Sequence, residues 1–125
     1  MVQEKENQEK LFKNAQRIRR LVVDAMTNLF KEYDGLIMPN SGSIAPRFTD
    51  EMDRLSEKYL LLENHLAIGN FGGFPSITIP SGIIDDMPVA INITGPIKTD
   101  DVVCNIANKL EEKIGFVPLS VKEEN

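Results

Sequence analysis

The chain of 125 residues has one cysteine, Cys104, and one histidine, His65. A single cysteine excludes an intrachain disulfide, and a Cys and a His thirty-nine positions apart make no zinc-binding spacing, so no metal ligand set is expected. No apolar run approaches the ~20 residues that span a bilayer. The N-terminus, MVQEKENQEK, is charged where a secretory signal needs an apolar centre. These absences point to a cytoplasmic protein in a reducing compartment, with no membrane partner. A nucleophile paired with a base is missing as well. Ser41-Gly42-Ser43 has Arg47 as its nearest cation, which cannot take a proton at neutral pH, so the serines read as turn residues. His65 has Glu63 two positions away, on a different helix face and poorly placed to orient it, so a structural or surface role is expected. Cys104 falls beside Asp100 and Asp101, with Val102 and Val103 as neighbours, and reads as an inert, partly buried thiol. Gly72-Gly73 lacks the lysine of a phosphate loop and precedes a strand rather than a helix. No catalytic residue is assigned.

The composition suits one domain of ordinary size, with 42 % hydrophobic residues and a net charge of −5. The acids come in dispersed pairs such as Asp85-Asp86 and Asp100-Asp101, and an acidic surface repels a phosphate backbone. The first twenty residues run the other way, with six Lys or Arg against three Glu. Arg17, Arg19 and Arg20 are the place where direct tRNA contact would have to occur. A solvated helix face is the simpler reading of them.

Residues from about 4 to 33 form the longest helical pattern, with Leu11, Ala15, Ile18, Val22, Ala25 and Leu29 at spacings of four and three. This stripe predicts a helix packed on a sheet, supported by the favourable pairs Glu6–Lys10 and Glu9–Lys13. Asp34-Gly35 ends it, and Leu36-Ile37-Met38 reads as a short strand stopped by Pro39. Asn40 to about Asp50 is loop. Leu55, Tyr59, Leu62 and Leu66 then mark a second helix that runs into the Gly-rich segment 69–73. Ser76–Ile79, bracketed by Pro75 and Pro80, and Val89–Thr94 alternate as buried strands, with Asp85–Pro88 supplying turns. The last helix opens at Thr99 as N-cap, buries Val103, Ala107, Leu110 and Ile114, and stops at Gly115. Glu63 lies among Leu60, Leu61, Leu62 and Leu66; a carboxylate there points to solvent or is held by a cation or a ligand amine.

These elements, in this order, resemble the C-terminal part of amidase-signature enzymes. AQRIRRLV (15–22) followed by YDGLIMP (33–39) fits, and GNFGGFPSITIPSG (69–82) resembles that family's G-x-P-x-I-S/T-V/I-P-x-G segment. MPVAINITG (87–95) resembles its L-P-V/L-G-L/V-Q/N-I/L-x-G segment, with Ala90 where glycine is usual, and the closing helix DVVCNIANKLEEKIG fits too. The likeness runs from about residue 11 to 115, and the spacing of the first helix is similar to the branch of A subunits in aminoacyl-tRNA amidotransferases.

The resemblance implies an α/β fold: the C-terminal part of an amidase-signature mixed-sheet domain with three strands and about three helices. Residues 1–125 would be one partial domain, with 1–10 as a charged helix start or tail and 116–125 as a C-terminal tail. It implies glutamine hydrolysis by two serines and a lysine that lie upstream of this region and have no counterpart here. It implies that the ammonia passes to the B subunit, which amidates glutamyl- or aspartyl-tRNA with ATP and Mg, so this chain itself needs no cofactor. Partners would be the B and C subunits of the amidotransferase and the missing N-terminal part of the same polypeptide, with tRNA met only indirectly. The family's acidic residue that holds the amino group of glutamine aligns with Glu63, counting back from Pro75. A fragment inactive alone, a module that completes another polypeptide, and a remnant without a function of its own are all compatible with the sequence.

Overall fold

The computed structural model describes residues 2–44 and 67–117. The helix expected around Leu55–Leu66, and with it Glu63 and His65, lies outside the described residues, as do the end of the loop after Asn40 and most of the expected C-terminal tail.

Among the described residues the order is α1 (Val2–Leu29), β1 (Leu36–Pro39), α2 (Ala67–Gly72), β2 (Ser76–Ile84), β3 (Met87–Thr94) and α3 (Asp100–Ile114). The three strands form one sheet in the order β1-β3-β2. Both pairings are antiparallel, so the mixed character expected of the larger domain's sheet does not come from these strands.

Both members of the hairpin are longer than their sequence predicts, because Pro80 and Pro88 do not stop them. The Asn40 N–H donates to the Ala90 carbonyl at 2.9 Å, which fixes the backbone groups of Ala90 toward β1. By alternation, the partner of Ala90 on β2, Pro80, turns its nitrogen away from β3, where no ladder bond is lost. Pro88 pairs with Ile83 at a point on β3 that β1 does not reach, so its missing N–H costs no bond either. A register shift between Pro80 and Gly82 absorbs one extra residue. The turn shrinks to Asp85-Asp86, with φ of 49° and 60°, the left-handed pair of a two-residue hairpin.

Register separates the faces. Ile77, Ile79, Ile91 and Ile93 share one face, against which α3 lays Val103, Ala107, Ile106, Leu110 and Ile114. Ile93 is fully buried at the centre. The two strands were expected to be wholly buried, but only Ile79 and residues 92–94 are; β2 is a sheet edge and its other face is polar. Gly95, buried at the end of β3, lies where α3 comes closest: a Cβ there would run into the Val103 side chain. Thr99 stands at the start of α3 but does not cap it with its side chain. Its hydroxyl donates backward to the Pro96 carbonyl at 2.7 Å, while its own carbonyl accepts the first helical bond from Val103.

The first helix departs most from expectation. It does not lie along the sheet. Its main neighbour among the described elements is α2, reached only by the C-terminal end: Met26 is buried and Val22, Val23, Leu29 and Phe30 are half-buried. The Phe30 and Phe74 rings meet at 5.6 Å. The stripe residues Leu11 and Ile18 remain exposed.

Candidate functional site

The polar face of the sheet holds a hydrogen-bonded cluster of side chains. Register places Ser76 opposite Thr94 and Thr78 opposite Asn92, so all four emerge on the side away from α3. Alternation in segments 76–79 and 89–94 therefore does two jobs: the isoleucines make the core and the intervening Ser, Thr and Asn make this seam.

Asn92 organises it. Its amide nitrogen donates to Ser76 Oγ at 2.9 Å and to Thr78 Oγ1 at 3.1 Å, and its carbonyl oxygen accepts from Thr94 Oγ1 at 3.1 Å. The Thr78 hydroxyl donates onward to Asn40 Oδ1 at 3.0 Å. That last bond crosses the central strand at Ala90, whose side chain is small enough to leave the way open. Asn92 and Thr94 are buried; Ser76 and Thr78, on the edge strand, face solvent. Among the described residues, no buried side-chain polar atom lacks a hydrogen-bond partner.

The cluster contains hydroxyls and amides only. No lysine, histidine or carboxylate shares a hydrogen bond with it among the described residues, so it can orient a ligand or rigidify a sheet but cannot move a proton at neutral pH. Sequence reasoning saw the alternation but not the seam, because a seam needs the register of two strands and that register depends on the hairpin turn.

The structure treats the other singled-out residues as follows. Ser41 Oγ accepts from the Ser43 N–H at 3.4 Å, an exposed turn contact. Gly73 ends α2 with φ of 69°. Cys104 is exposed rather than partly buried, because the inward stripe of α3 passes through Val103 and Ala107 and turns the next position outward. Among Arg17, Arg19 and Arg20, Arg19 does more than face solvent: its Nε donates to the Phe71 carbonyl at 2.6 Å, tying α1 to the end of α2. Arg20 pairs with Asp24 at 3.1 Å and Lys13 with Glu9 at 3.8 Å, both across one helical turn. Among the described residues no group of three or more His, Cys, Asp or Glu side chains is placed to hold a metal ion, and no helix is long and apolar enough to cross a membrane.

Comparison with known proteins adds what this geometry leaves open. The amidase family model matches residues 1–104. The A subunit of the glutamyl-tRNA(Gln) amidotransferase of Fusobacterium nucleatum is 32 % identical over 109 residues, which make up 86 % of this chain and 22 % of that protein. Its namesake in Clostridium botulinum is 30 % identical over 105 residues, 84 % of this chain and 21 % of the relative. Among solved structures, the A subunit of the Thermotoga maritima glutamyl-tRNA(Gln) amidotransferase superposes with a TM-score of 0.80 at 28 % identity, covering 91 % of this chain and 26 % of that one. A bacterial aryl acylamidase of the amidase signature family superposes at 0.66 with 26 % identity, over 78 % of this chain and 21 % of its own. The chain thus spans between a fifth and about a quarter of the length of these relatives.

Proposed function

The chain belongs to the amidase family, and from that premise we propose that it is the C-terminal portion of an amidotransferase A subunit, the one that hydrolyses glutamine to supply ammonia for tRNA-linked amidation. The observation that carries this reading is the match to A subunits over 84–86 % of the chain, joined to a TM-score of 0.80 against one of them. In this role the chain contributes scaffold: the isoleucine core, the polar seam that stiffens β2 against β3, and the α3 layer.

Hydrolysis of the glutamine amide needs a nucleophile, a base to take its proton and donors for the developing oxyanion. The seam supplies none of the first two, and the sequence places no serine beside a lysine or histidine. The chain is therefore inactive alone. Its one direct contribution to substrate is Glu63, whose carboxylate pairs with the α-ammonium of glutamine and orients the side-chain amide toward residues supplied elsewhere. ATP and Mg act in the B subunit, not here. The partners are the B and C subunits together with the rest of the amidase domain, and tRNA is met through the complex in the cytoplasm.

The test is ammonia release from glutamine by the purified chain. No turnover above the buffer control is expected, and steady turnover that follows the protein through a second purification step would overturn the assignment.

A further inference from the structure

The first half of α1 carries an apolar row that nothing among the described residues covers. Leu11 is 69 % exposed, Phe12 65 %, Ile18 59 % and Leu21 68 %. Leu11 and Ile18 fall on the same helix face as Val22 and Leu29, which are half-buried against the body. This is one continuous stripe, covered at its C-terminal end and bare over its N-terminal half. Isolated exposed leucines are ordinary, but several large apolar side chains in register on one helix face mark an interaction surface.

Charge narrows what can sit on it. Helix α1 carries Lys5, Lys10, Lys13, Arg17, Arg19 and Arg20 against Glu4, Glu6, Glu9 and Asp24, so it is net positive in a chain of charge −5. A second copy would bring two net-positive helices side by side. A polypeptide offering an apolar row edged with carboxylates meets no such repulsion. The size of the relatives names the source: this chain matches 21–26 % of their length, which leaves about three quarters of an amidase domain to be accounted for.

We propose that the bare face of α1, centred on Leu11, Ile18 and Leu21, is the docking surface for the remainder of an amidase-type domain, carried on a polypeptide with acidic residues flanking its contact row. The inference rests on the reading of the chain as part of an A subunit, to which it adds the surface through which the domain is completed.

The experiment co-expresses the full chain with the portion of the Thermotoga maritima A subunit that lies outside the matched stretch. Assembly is measured by size-exclusion chromatography with light scattering, and affinity by calorimetry. A one-to-one complex is expected. Leu11→Glu and Ile18→Glu should each weaken it about tenfold or more, since each removes a buried aliphatic contact and adds a like charge to the acidic rim. Both positions are exposed in the free chain, so its far-UV circular dichroism should not change. Phe116, 94 % exposed beyond α3, is the control: Phe116→Glu should leave the affinity within about twofold.

A complex that the Leu11→Glu/Ile18→Glu double variant binds at full strength places docking elsewhere. That result overturns this inference and leaves the A-subunit reading standing. A homodimer of the wild-type chain, dispersed by the same substitutions, overturns the occupant, as does flotation with phosphatidylcholine–phosphatidylserine vesicles that the substitutions abolish. Failure of the wild-type chain to assemble at all counts against both readings.

Discussion

Gly95 and Val103 test the packing of α3 on the sheet. The φ of Gly95 is not in the left-handed region, so alanine fits the backbone and only space is at issue. A Cβ would collide with Val103 and come to 3.1 Å from Thr99 Oγ1. Val103 is 2 % exposed and has no free direction in which to retreat. Overpacking of this kind costs about 1–3 kcal/mol, offset by about 0.4–1 kcal/mol from the smaller unfolded-state entropy of alanine. Gly95→Ala should therefore destabilise the chain by about 1–2 kcal/mol. Val103→Ala alone removes two methyl groups from the core and should cost about 2 kcal/mol, at ~0.8 kcal/mol per group plus a cavity contribution. Combined, the new methyl at residue 95 occupies part of the space Val103 has vacated. The double variant should then be more stable than the sum of the singles predicts, by about 1 kcal/mol or more. Urea unfolding followed at 222 nm measures all four proteins of the cycle, with a constant m-value as the check that each unfolds in one step. Additivity to within ~0.3–0.5 kcal/mol, or a Gly95→Ala variant that is stabilised, would refute the close approach of β3 and α3.

Replacing Asp85-Asp86 by Asn-Gly, the pair that best fits two left-handed positions, should stabilise the hairpin by about 0.5–1 kcal/mol; an unchanged or lowered urea midpoint would show that the turn is not of this kind. Asn92→Ala deprives Ser76, Thr78 and Thr94 of their shared partner and should cost about 1–3 kcal/mol. Thr78→Val should cost less, because Thr78 lies on the exposed edge; equal losses would mean that burial does not set the value of the seam. In an enzyme reconstituted from this chain and its complement, Glu63→Ala should raise the KM for glutamine about 10- to 100-fold with kcat nearly unchanged, as expected for loss of one charged hydrogen bond to the substrate. A fall in kcat at constant KM would remove Glu63 from the role of holding the amino group.

Periodicity located the elements well where one strong signal acted alone. The last helix was legible from Val103, Ala107, Leu110 and Ile114, bounded by Thr99 and Gly115, because an inward stripe and a terminating glycine are local properties. The hairpin was legible in kind but not in extent. Pro80 and Pro88 read as stops, and only the pairing partner shows that their nitrogens face away from any ladder bond. Thr99 was placed correctly at a helix start, yet its hydroxyl turns back to Pro96, a choice made by the left-handed Lys98 before it.

The sequence by itself determined the family, the alternation that separates an isoleucine core from a polar face, and the lack of any serine placed beside a base, since these depend on residue types and their spacing. Tertiary structure alone decided which polar residues meet. Asn92 reaches Ser76, Thr78 and Thr94 because hairpin register sets them opposite one another, and Asn40 joins from a strand some forty residues earlier. It also decided the fate of the stripe on α1. The pattern from Leu11 to Leu29 says that the face is meant to be covered. Only the packing shows that cover reaches Met26 and leaves Leu11 and Ile18 in water, because an amphipathic pattern encodes the need for a partner surface and not whether that surface lies in the same chain.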